Sequence, residues 1–228
     1  MWSYRTGAGG GNFGRMFHKH DTVLADINEG IYNDEAANGY VFQRKWTTTR
    51  GEWRWPRPST GVWSCVGLSY DGGSAGNIPI AYRDGVSQTV TTVASPVGTL
   101  ATSTDAYAIG NRISDNTRCW DGRLCEFAKW DVLLNANEHL ALSKGVSPLR
   151  VRTESLVIYI PLWGTHSPEI DIGPNHSTGT VTGTTIAVGP PVTLFTPKNF
   201  SVEQVVTAAF NPAWAERSNH LIGDGFVY

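Results

Sequence analysis

The chain has 228 residues, with 18 Lys and Arg against 20 Asp and Glu, and charged residues make up 17% of it. That length fits one large domain or two small ones, and a net charge of −2 argues against nucleic-acid binding by bulk charge and against a disordered acidic tail. Nine Trp, 25 Gly and 12 Pro disfavour a helical bundle, a coiled coil or a collagen-like repeat and favour short strands joined by turns.

The run Gly9-Gly10-Gly11-Asn12-Phe13-Gly14 formally fits GxGxxG. A dinucleotide site needs a helix after it, and the strand-like RMFHKH follows instead, so a strand connection is the better reading. His18 and His20 fall on one strand face, but two imidazoles without a third ligand make a poor metal site. Tyr40–Trp46 alternates loosely. Within 44–57 lie Arg44, Lys45, Arg50, Arg54 and Arg57 together with Trp46, Trp53 and Trp55. If this stretch is extended, Trp53 and Trp55 share a face and offer a platform for sugar rings, edged by Arg54 and Arg57. The competing reading, that these aromatics cover the core and the arginines fringe them, weighs more, because half-buried Trp is common in sandwiches.

Trp63–Tyr70 reads as a mostly apolar strand. Gly72–Gly76 fits GxSxG, yet the following IPIAYRDG is another strand and not the helix a nucleophile elbow requires. Asn77–Arg83 and Val86–Val93 flank Asp84-Gly85, the dipeptide a type I′ hairpin turn demands. Ala106–Gly110 is a short strand, and Asp121-Gly122 opens another over Arg123–Asp131. A helix of about two turns is predicted over 136–144. Asn135 and Glu138 form its capping box, and Gly145 stands at its left-handed end.

Leu156–Leu162 is the longest apolar run, predicted to be a strand buried on both faces and far short of the roughly 20 residues of a membrane span. No secretory leader is visible at the N-terminus. Cys65, Cys119 and Cys125 are an odd set without CxxC spacing, which predicts buried reduced thiols. Glu169-Ile170-Asp171 puts two carboxylates on one strand face, as jelly-roll β-glucanases do. Gly173 and Pro174 stand where the general acid should be, which argues against glycoside hydrolysis. No catalytic residue is therefore expected. Asp171 and Asn175, with Asp121, offer oxygens for Ca²⁺, although calcium takes 6–8 of them; no cofactor is required.

The segment 195–228 loses the alternation and carries Phe195, Phe200, Phe210, Trp214, Phe226 and Tyr228. Ser201 and Gln204 suit a short helix start, and Asn211-Pro212 would end it. So many large apolar groups imply docking on the domain or on a partner.

These motifs add up to a resemblance. The run from Gly61 to Gly72 resembles the "G-x-W-x-x-V-x-x-x-Y-D-G" strand of laminin-G-like, concanavalin A-like jelly rolls, and Ile80–Gly85 resembles the strand and hairpin that follow it. Ile109–Arg112, Trp120–Trp130 and Leu133–Gly145 resemble the family's later strands and helix. The likeness implies an all-β, two-sheet antiparallel jelly roll with one short helix. The family's usual opening strand and loop are matched by 156–164 and 171–180, which come last here. This implies a sandwich over 1–193, completed by 155–193 as in a circular permutant, and an anchoring segment over 194–228. The whole arrangement resembles accessory virion proteins of tailed bacteriophages, such as decoration, head-fibre or tail components. That likeness implies a non-enzymatic virion-surface module, made in the host cytoplasm and contacting other subunits or itself. A glycan-binding module is the alternative. Neither nucleic acid nor membrane is an expected partner.

Overall fold

The computed structural model describes residues 1–21, 26–112, 117–164 and 167–192. The strands are β1 (Trp2–Arg5), β2 (Arg15–Asp21), β3 (Asp26–Asp34), β4 (Gly39–Arg44), β5 (Gly51–Pro56), β6 (Trp63–Ser69), β7 (Ile80–Arg83) and β8 (Val86–Gln88). They continue with β9 (Thr91–Ala94), β10 (Tyr107–Ile109), β11 (Gly122–Cys125), β12 (Phe127–Trp130), β13 (Leu156–Ile160), β14 (Glu169–Ile170) and β15 (Thr178–Gly179), and one helix, α1 (Ala136–Ser143), interrupts them. Two large sheets form, in the orders β11-β1-β6-β7-β8 and β10-β2-β3-β4-β5-β9, with every pairing antiparallel. Among the described residues the fold is an all-β, two-sheet jelly-roll sandwich with a single short α-helix.

Alternation sets what lies between the sheets. Ile31, Phe42 and Trp53 are cross-strand partners, as are Tyr40 and Trp55. With Met16 and Phe17 they pack against Val66, Ala81 and Phe127. Trp53 stacks on Phe42 and lies 4.9 Å from the Tyr70 ring. Trp53 and Trp55 are 1% and 2% exposed, so they are core, the reading that weighed more, and not the sugar platform that was its alternative. The period of two that put both indoles on one face put them on the inner face.

Local chemistry accounts for the turns and the helix. Asp84 (φ 53°) and Gly85 (φ 81°) make the predicted left-handed turn between β7 and β8. The Asp84 carboxylate also accepts the Cys65 N–H at 2.7 Å, fixing the turn to β6. On α1, Asn135 Oδ1 accepts from the N–H groups of Asn137 and Glu138, and Glu138 returns a carboxylate to the Asn135 N–H at 2.7 Å. Gly145 (φ 89°) ends the helix in a Schellman motif, with Val146 N–H donating to Ala141 O and Gly145 N–H to Leu142 O.

Five expectations are corrected. Val86–Val93 is two strands: β8 stays with β7, while β9 crosses to the edge of the other sheet beside β5. Arg123–Asp131 is likewise split, because Glu126 takes a left-handed φ of 58° and breaks the ladder between β11 and β12. β13 pairs with β12 in a separate two-stranded ladder and not with a strand of either large sheet. Only Leu156 and Tyr159 of β13 are fully buried, so it is not a strand covered on both faces. Cys65 and Cys125 are buried thiols, as both are cross-strand neighbours of Trp2, but Cys119 is exposed.

The chain divides into a compact unit Met1–Leu194 and a second, Phe195–Tyr228. The second, with Phe195, Phe200, Phe210, Trp214, Phe226, Tyr228 and the helix start at Ser201, lies outside the described residues. Among the described residues no helix is long and apolar enough to cross a membrane.

Candidate functional site

The six-stranded sheet has a second face, and its residues are of another kind. Opposite the core row, Arg15, Tyr32, Val41 and Arg54 are successive cross-strand partners. One step along, His18, Gly30, Gln43 and Glu52 form the next row. The polar side chains here are wired together. Gln43 Nε2 donates to Tyr32 Oη at 3.1 Å and to Glu52 Oε2 at 2.6 Å, and Arg50 pairs with Glu52 at 3.5 Å. Gln43 is 3% exposed, yet its Oε1 has no hydrogen-bond partner. A buried amide oxygen without a donor is costly and marks a place where a further donor belongs. Tyr32 is flanked by the Phe13 ring edge at 6.0 Å and by the Arg15 guanidinium, 4.0 Å above its centroid. Burial pushes the Tyr32 phenol up to about 12, aided by the Glu52 carboxylate, so it stays a neutral donor. The expected pairing of His18 and His20 is present, with ring centroids 5.6 Å apart.

A second concavity lies between the sheets, a cavity of about 590 Å³ lined in part by Glu29, Arg44, Ser69, Tyr70, Lys129 and His139. Its polar groups answer one another. Lys129 Nζ donates to Glu29 at 2.6 Å and to Tyr107 Oη at 2.7 Å. Ser69 Oγ donates to Leu134 O at 2.7 Å, so His139 Nε2 at 2.9 Å must be the donor to Ser69. Burial pushes the His139 imidazole down to about 4. An uncharged histidine that donates to serine is not its base, and its ring stacks on Tyr82 at 4.0 Å. This pair fastens α1 to β6 and β7. Gly67 makes the approach feasible, since a Cβ there would meet the imidazole at 2.4 Å.

The residues singled out in sequence scatter. Of Trp53, Trp55, Arg54 and Arg57, only Arg54 lies on the polar face, its stem covering Gly39. The Arg57 guanidinium is committed to Glu35, at 2.5 and 2.9 Å, and to Asn33 and Asn38. Arg57 and Asn33 hold the Glu35 carboxyl down to about 2. Asp171 is fully buried. One of its oxygens accepts from Tyr159 N–H and Gly173 N–H, both at 2.8 Å, and the other from Ser177 N–H. Asn175 donates to Val157 O, and Asp121 accepts from Thr6 Oγ1. Both Asp171 oxygens thus serve as loop staples, while Asn175 is held through its amide N–H. Among the described residues no group of three or more His, Cys, Asp or Glu could hold a metal. Glu169 accepts the Gly164 N–H at 2.6 Å, so this carboxylate too is structural.

Sequence reasoning did not single out Arg15, Tyr32, Gln43 or Glu52. The signal was the complement of one it used. If Trp53 and Trp55 share the inner face, Glu52 and Arg54 must share the outer one.

No family model matches the chain, and no curated protein matches it. Among solved structures, the fold is similar to that of a Bacteroides ovatus protein provisionally described as carbohydrate-binding, with a TM-score of 0.60 and 15% sequence identity. The similarity covers 84% of this chain and 54% of the other, so the chain spans about half the length of the structure it matches. At that identity the likeness establishes the fold, a sheet-rich sandwich compatible with lectin-like jelly rolls.

Proposed function

We propose that this chain is a non-catalytic carbohydrate-binding module, with the outer face of the six-stranded sheet as its ligand surface. The observation that carries the reading is the chain Arg50–Glu52–Gln43–Tyr32, in whose middle the Gln43 amide oxygen has no donor. Sugar hydroxyls are at once donors and acceptors, so a glycan can donate to the spare lone pairs of Glu52, which Gln43 holds in place from within. The half-buried Phe13 ring, edge-on to the buried Tyr32, supplies apolar surface beside these groups, as sugar faces require. Asp171 and Glu169, the carboxylates that a glycosidase reading would use, are spent on backbone N–H groups. The similar Bacteroides ovatus structure supports the same class. The test is a panel of neutral and acidic polysaccharides in affinity electrophoresis. At least one is expected to retard the protein, and Gln43→Ala is expected to restore free migration. No retardation by any glycan, or retardation unchanged in Gln43→Ala, contradicts the proposal.

A second reading concerns assembly, and its observation is the six large aromatics within 195–228. We infer that this segment fixes the module to copies of itself or to other subunits, as in an accessory virion protein of a tailed phage. Large aromatics dominate interface energetics. Removing 195–228 should then abolish oligomerisation or incorporation and leave 1–193 folded; normal incorporation of the truncated chain contradicts it.

A further inference from the structure

The five-stranded sheet is split at one end. Trp2 of β1 stands opposite Cys65 of β6 on one side and opposite Cys125 of β11 on the other. The ladder between β1 and β6 ends at Met1, where Val66 N–H donates to Met1 O at 2.8 Å and the Met1 nitrogen donates to Val66 O at 3.3 Å. β6 nevertheless runs on to Ser69, and past β11 the chain runs on as β12 to Trp130. Among the described residues β6 then pairs with β7 and β12 with β13, on their far sides, and the two do not pair with each other. A slot one strand wide therefore opens in line with β1. Neighbouring strands lie about 4.8 Å apart, so its walls stand about 10 Å apart.

The cavity of about 590 Å³ is this slot. Met1 closes one end, Leu68 and Lys129 stand on its walls, and Met16 and Phe42 of the six-stranded sheet and Leu142 of α1 cover it. Antiparallel pairing turns alternate residues to alternate sides. Val66 is bonded to Met1, so Leu68 turns its N–H and C=O into the slot. Glu126 N–H donates to Pro161 O at 2.9 Å, so on β12 Phe127 and Lys129 turn theirs in from the opposite wall. The polar side chains here are already answered: Lys129 by Glu29, Ser69 by His139, and Arg44 by the Asn28 carbonyl. What the slot lacks is backbone partners, on two facing edges, and buried backbone groups are costly when unpaired. Val132 and Leu133, 42% and 53% exposed, carry the apolar lining out to the open end.

We infer that this slot takes an extended apolar segment of a partner protein as a strand between β6 and β12, completing the sheet. Only an extended backbone answers both edges at once. Its side chains must be apolar, because one set lies on Met16 and Phe42 and the other set meets Leu142. A stretch of about four residues, some ~13 Å long, matches the unpaired part of β6. In such strand addition the main chain supplies affinity and alternate side chains supply specificity. The inference is independent of the carbohydrate reading, which concerns the other face of the six-stranded sheet.

The test titrates the full, isotope-labelled chain with a capped Val-Ile-Val-Leu peptide flanked by lysines, and follows amide hydrogen exchange by NMR. The peptide is expected to bind and to slow exchange at Leu68, Phe127 and Lys129 by about tenfold or more. A copy N-methylated at its central amides keeps every side chain and loses N–H donors. It is expected to bind about tenfold or more weakly. Leu68→Pro removes a slot-facing donor that no strand of the sheet uses, and should weaken the unmodified peptide likewise. No binding of the unmodified peptide overturns the inference. Equal binding of the N-methylated copy also overturns it, since a plain apolar pocket does not distinguish the two. Protection of Leu68 that rises with protein concentration in the absence of peptide assigns the slot to a second copy and overturns the partner reading.

Discussion

The two faces of the six-stranded sheet come from the same strands and differ in nearly every physical respect. The inner face carries Ile31, Phe42, Trp53, Tyr40 and Trp55, interlocked ring against ring. The outer face carries Arg15, Tyr32, Gln43, Glu52 and Arg54, of which Tyr32, Gln43 and Glu52 are joined by hydrogen bonds that leave some groups unanswered. Stability is concentrated where apolar area is buried, and recognition where polar groups lack partners. Substitutions on the two faces should therefore separate folding from binding.

The largest effect is expected on the inner face. Trp53→Ala removes a ring packed between Phe42 and Tyr70 and should cost about 3–5 kcal/mol in denaturant unfolding. A cost under about 1 kcal/mol would mean that the core is elsewhere.

Next comes the helix anchor. The folded pKa of His139 lies below its ordinary value of 6.5, near 4, so the unfolded chain binds the extra proton first. Its contribution is complete above about 6.5 and is lost as pH falls towards 4, to a total of a few kcal/mol at most. Urea midpoints measured from pH 7 to pH 4 should show this fall, and a His139→Phe variant should lack it. At Gly85, φ is +81° and a Cβ would stand 2.7 Å from the Leu140 Cα, so Gly85→Ala should cost about 1–3 kcal/mol. Asn135→Ala removes the helix cap and should cost about 1 kcal/mol, read as a lower thermal midpoint. None of these three should alter glycan affinity.

The same contrast explains what the sequence discloses. Local rules made the Asp84-Gly85 turn, the Asn135 capping box and the Trp53/Trp55 face legible, because each depends on a few neighbours. Whether a strand face turns inward depends on the opposing sheet, so the sequence favours core over platform for Trp53 and Trp55 without deciding it. The breaks at Glu126 and between β8 and β9 were invisible for a like reason: a left-handed Glu and a crossing between sheets are settled by packing against distant strands. The part Asp171 plays was hidden too, since it staples a loop closed through backbone N–H groups that only the folded loop brings together. The outer face was legible only by subtraction, and Tyr32, Gln43 and Glu52 come together only once β3, β4 and β5 are in register.

The most direct test of the division between faces is an amide NMR titration of the intact chain with a glycan it retains. The account predicts that the signals that move belong to Tyr32, Gln43, Glu52 and their neighbours on β3, β4 and β5, while those of Glu29, Lys129 and His139 around the interior cavity stay still. Movement confined to the cavity residues, with the outer face silent, would contradict it.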